Sequence, residues 1–62
     1  MTLEDQHAMY ELAATMRWPD AAKFIRAETG ESLRHTPPHL DHIARVYPDS
    51  VCAISWKQRP AD

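Results

Sequence analysis

The chain has 62 residues, 44% of them hydrophobic, 26% charged and only one a glycine, a composition that belongs to folded globular domains rather than to disordered segments. A domain this short buries only about 60% of the surface its unfolded form exposes, so its stability is thin and self-association is an open route to more core. The net charge of −2, with basic residues scattered singly at Arg17, Lys23, Arg26, Arg34, Arg45, Lys57 and Arg59, lacks the basic excess that gives nucleic-acid binders their affinity.

Cys52, the single cysteine, excludes an internal disulfide framework and points to a reducing, cytoplasmic setting. The longest aliphatic or thiol run is Val51-Cys52-Ala53-Ile54, far below the roughly 18 residues that cross a bilayer. Neither a membrane span nor a signal peptide is expected, and residues 1–62 read as one small helical domain.

The first predicted helix runs from Leu3 to Arg17. Thr2, followed three residues later by Asp5, fits a capping pattern, and Glu4 and Asp5 suit the positive end of the helix they open. At 100° per residue, Leu3, Met9, Tyr10, Leu12, Ala13, Ala14 and Met16 fall on one broad side and Glu4, His7, Glu11 and Thr15 opposite. Trp18-Pro19 breaks this helix, because a residue before proline is pushed out of helical geometry. A second helix is then expected from Pro19 to about Thr29, with Ala21, Phe24 and Ile25 inward and Gly30 as a left-handed stop.

The third helix carries the most consistent local signals. Thr36 reads as its cap, Pro37 as a first-turn residue with no amide to satisfy, and Asp41 as a charge favoured by the helix dipole. Leu40, Ile43, Ala44 and Tyr47 make an i, i+3, i+4, i+7 stripe, and Pro48 ends it. The tail from Val51 to Trp56 fits either a helix capped by Asp49 or Ser50, or a short strand with Cys52, Ile54 and Trp56 on one face. Since no other segment reads as β, helix is favoured. The fold expected is all-α, a compact domain of three or four helices.

Three groups of residues bear on function. His35, His39 and His42, with Cys52, are potential metal ligands, but their spacing matches no established zinc motif, so no metal or other cofactor is expected. Cys52 with a histidine lacks the enclosed cleft and oriented base of a thiol enzyme, and a lone glycine gives no phosphate loop, so no enzyme activity or small-molecule substrate is expected. Met9, Tyr10, Met16, Trp18, Phe24, Tyr47 and Trp56 are too many large apolar side chains for so small a domain to bury completely, and they are of types enriched at interfaces. The preferred expectation is therefore a small binding module that works by protein contact. It would act as a regulator or inhibitor on a larger partner or as a homo-oligomer, with Tyr10, Met16 and Trp18 as the contacts.

The segment Ile43 to Lys57 supports a second expectation. Its Ile43-Ala44 pair, Ser50, and the run Ala53-Ile54-Ser55 before Trp56-Lys57 resemble the helix-turn-helix of small phage repressors of the Cro type. That resemblance implies a sequence-specific DNA-binding regulator, with Ser50, Val51, Ala53, Ser55 and Lys57 near the major groove and Arg45 and Arg59 on phosphates.

Overall fold

The computed structural model describes residues 2–60. It is all-α, with four helices: α1 (Leu3–Ala14), α2 (Trp18–Thr29), α3 (Thr36–Val46) and α4 (Val51–Lys57), and a 3-10 turn at Leu33–His35 leading into α3. The tail is thus a helix, and there is no strand among the described residues. No described helix is long and apolar enough to cross a membrane.

Local chemistry accounts for most of the helix ends. The Thr2 hydroxyl accepts from the Asp5 amide at 3.2 Å, and Ser50 Oγ accepts from the Ala53 amide at 3.1 Å while donating to the Tyr47 carbonyl at 2.7 Å. Each hydroxyl satisfies one of the amides that a helix start leaves without a partner. Gly30 closes α2 at φ 71°, its N–H on the Arg26 carbonyl at 2.8 Å, a left-handed geometry that side chains with a Cβ disfavour.

Three boundaries differ from expectation, each for a visible reason. α1 stops at Ala14 rather than Arg17. The Thr15 hydroxyl turns back to the Leu12 carbonyl at 2.6 Å, and Arg17 adopts the extended backbone from which α2 starts, so Trp18 opens the second helix instead of standing between two. Thr36 is not a cap; at φ −70° and ψ −45° it is already helical. The 3-10 turn makes a cap unnecessary, since the His35 amide bonds the Ser32 carbonyl, the Thr36 amide bonds that of Leu33, and Pro37 and Pro38 have no amide to satisfy. The Thr36 side chain is instead buried, and its hydroxyl has no hydrogen-bond partner among the described residues.

The core gathers Met9, Tyr10, Ala13 and Ala14 of α1, Ala21, Ala22 and Ile25 of α2, Leu40 and Ile43 of α3, and Cys52 and Trp56 of α4. Alanines where the helices meet let their backbones approach closely, while Ile25, Leu40, Ile43 and Cys52 fill the centre. Both α2 and α4 touch all the other helices. The buried stripe on α1 is narrower than its sequence implies. Leu12, expected inside, lies beside the stripe and is 50% exposed, and Leu3 sits in the first turn, 84% exposed. Met16, Trp18, Phe24 and Tyr47 pack on the rim of the core and are only partly covered.

Candidate interaction surface

The N-terminus of α2 meets α4 in a stack of three side chains. The Trp18 and Trp56 rings meet edge to face with centroids 5.3 Å apart, and the Arg59 guanidinium lies 3.6 Å above the Trp56 ring, its Nη1 donating to the Trp56 carbonyl at 2.6 Å. From the other side the Trp56 indole N–H donates to Asp41 of α3 at 2.8 Å. The Trp18 amide, one of those that the start of α2 leaves over, donates to Ser55 Oγ at 3.0 Å, and Ser55 in turn donates to the Cys52 carbonyl. Two helix segments distant in sequence are thereby fixed edge to edge.

Beside this stack runs an open groove of about 430 Å³ lined by Arg17, Trp18, Pro19, Val51, Ile54, Ser55, Gln58, Arg59 and Pro60. α4 turns Cys52, Ala53 and Trp56 inward, which leaves Val51 and Ile54 on its outer face, 51% and 46% exposed. Neither Arg17 nor Arg59 is within salt-bridge distance of a carboxylate among the described residues, where the acid–base pairs all join a histidine to a glutamate.

Of the three contacts expected from sequence, Trp18 borders this groove and Met16 is half-buried close by in the chain. Tyr10 faces elsewhere. It is buried against α3, its ring packed at a tilt on His42 with centroids 4.6 Å apart, and its hydroxyl shares a 2.6 Å hydrogen bond with His39 Nδ1. Among the residues of the DNA expectation, Arg45, Lys57 and Arg59 are exposed, whereas the Ser50 and Ser55 hydroxyls are engaged within the fold and Ala53 is fully buried. α3 and α4 are joined by a short turn at residues 47–50.

His35 and His39 converge on Glu31, at 3.7 and 3.3 Å from its Oε2, while Cys52 is sealed in the core. No group of three or more His, Cys, Asp or Glu among the described residues is arranged to hold a metal ion. Tyr10, His39 and Glu31 form a hydrogen-bonded chain with the outline of a nucleophile, base and orienting acid. Burial, helped by the nearby Glu31 charge, raises the Tyr10 pKa against the lowering effect of a hydrogen bond from Gln6. A phenol held protonated donates to His39 Nδ1, and the other ring nitrogen is then free to donate to Glu31. The chain acts as a tie between α1 and α3. Tyr10→Phe is expected to cost about 0.5–1.5 kcal/mol of stability in urea unfolding, the worth of one internal hydrogen bond, with the helical circular dichroism intact.

Burial also raises the Cys52 thiol, which is 0% exposed. Native protein should therefore resist a thiol-specific reagent, and labelling should appear only as urea opens the core. Because the folded chain holds the Cys52 and Tyr10 protons to higher pH than the unfolded chain, the stability they contribute is complete below the ordinary thiol and phenol range. It is lost as pH rises through their raised folded values, so urea midpoints should fall on the alkaline side.

No protein-family model matches the chain, and comparisons with curated proteins and with solved structures find no match either.

Proposed function

We propose that the protein is a non-enzymatic binding module that works by protein contact through the face shared by Trp18, Val51 and Ile54. The observation that carries this reading is the outer face of α4, where half-exposed aliphatic side chains continue into a tryptophan and a proline of α2. Apolar side chains gathered in one groove and edged by polar groups are the kind of surface that a partner covers on binding. Its aromatic member is already positioned by a neighbouring ring, so ordering it on binding costs little entropy.

The test is capture from an extract of the cells that make the protein, run in parallel with an Ile54→Glu variant whose fold is checked by circular dichroism. A discrete polypeptide retained by the native chain and lost with the variant is the expected result. Equal capture by both chains would remove the proposal. The repressor-like order of α3, turn and α4 favours a second reading, a DNA-binding regulator using Arg45, Lys57 and Arg59. It requires a salt-dependent shift onto duplex DNA that Lys57→Ala weakens. The apolar centre of the outer face of α4 is poorly suited to a phosphate backbone, and for that reason protein contact is preferred.

A further inference from the structure

The groove differs from the rest of the molecule in the sign of its charge. The chain as a whole carries −2, yet among the described residues the charged ones lining the groove are Arg17 and Arg59, with no acid. A second groove of about 510 Å³, between α1 and α2, has the opposite character: Ala8, Met9, Leu12 and Phe24 are accompanied there by Asp5 and Glu28. Inside the first groove the charge beside Trp18 and Ile54 is positive, while the far side of Val51 borders a separate pocket that holds Glu11 and Asp49.

From this we infer, resting on the protein-contact reading above, that the groove receives an acidic amphipathic segment of a partner protein. Its apolar side chains would lie on Trp18, Val51 and Ile54, and its carboxylates on Arg17 and Arg59. Arg59 is set up for that role. Stacked 3.6 Å above Trp56, with Nη1 on a backbone carbonyl, the guanidinium is held in one place with N–H groups to spare. A planar, immobilised guanidinium suits bidentate carboxylate recognition and loses little rotamer freedom when it binds.

Two other occupants fit less well. A second copy joined about a twofold axis would bring the same patch onto itself, setting the Arg17 and Arg59 guanidinium groups against their own counterparts. A nucleic acid would satisfy the arginines but leave the Val51 and Ile54 floor facing sugar and phosphate.

The test is selection of a displayed random-peptide library on the immobilised full chain, followed by fluorescence anisotropy with the enriched peptides. Enriched sequences should combine Leu, Ile, Phe or Trp at helical spacing with flanking Asp or Glu. Their Kd should rise about tenfold or more with Ile54→Glu and with the double substitution Arg17→Glu, Arg59→Glu, and should move little with Leu33→Glu, which alters an exposed apolar residue outside the groove. Peptides lost with Ile54→Glu but carrying no acidic residues would overturn the charge inference and leave the protein-contact reading standing. An empty selection, or binding indifferent to every groove substitution, would overturn the proposal. So would concentration-dependent assembly of the chain in light scattering, which would make the occupant a second copy. A salt-sensitive shift onto a mixed-sequence duplex, lost with Arg59→Glu, would overturn both readings.

Discussion

Ile25→Ala is expected to leave the chain largely unfolded. Ile25 is 0% exposed and lies on α2, which packs on every other helix. Truncating a buried isoleucine to alanine costs about 2–5 kcal/mol, through lost burial and the cavity left behind. At roughly 0.05–0.15 kcal/mol per residue, the stability of a domain this size is of the same order, so one substitution removes most of it. Urea unfolding followed by helical circular dichroism should show a collapsed midpoint, and Ile25→Val, which removes a single methylene, should lose only about 0.5–1.5 kcal/mol. If the alanine and valine variants unfolded at the same midpoint, the centre of the core would have been misplaced.

Trp56→Ala is the second large effect, about 3–5 kcal/mol by the usual cost of deleting a buried tryptophan. Trp56 is 8% exposed and unites four contacts: core packing, the edge of Trp18, the guanidinium of Arg59 and the carboxylate of Asp41. Trp56→Phe separates these terms, because it keeps a ring for Trp18 and Arg59 but removes the N–H donated to Asp41. A double-mutant cycle with Asp41→Ala should isolate a coupling of about 1 kcal/mol, and additive losses would show that the indole hydrogen bond contributes nothing. The alanine variant should also lose peptide binding at the groove even in conditions where it folds, since Trp18 and Arg59 would no longer be held.

How far the fold could be read in advance depends on whether the deciding interaction is local. Thr2, Ser50 and Gly30 act within a turn of their own positions, and each does what its residue type implies. The Leu40 and Ile43 stripe is likewise legible from spacing alone. Asp41 is different. Read from sequence as a charge favoured by the helix dipole, it lies beyond the first turn of α3, which holds no acid, and its carboxylate instead accepts a hydrogen bond from the indole N–H of Trp56, 15 residues away. The Tyr10 to His39 bond spans 29 residues and the Trp18 to Ser55 bond 37, and no periodicity encodes such pairings. The histidines illustrate the same limit, since spacing alone allows a metal cluster whereas the fold gives two of them a shared glutamate. Of the proposed surface, sequence supplied Trp18. Val51, which the repressor resemblance had placed near DNA, and Ile54 join it because α4 is a helix with Cys52 and Trp56 turned inward.

The position of α4 along the chain shapes how the protein is made. A seven-residue helix is far too short to persist alone, so it forms only against the others, and they in turn lack Cys52, Ala53 and Trp56 until it arrives. During synthesis, which delivers the N-terminal helices first, Met9, Ile25, Leu40 and Ile43 leave the ribosome with one wall of their enclosure missing. Until residues 51–57 are available to pack, the apolar faces of α1, α2 and α3 stay partly uncovered and are the surface that chaperones and proteases would meet.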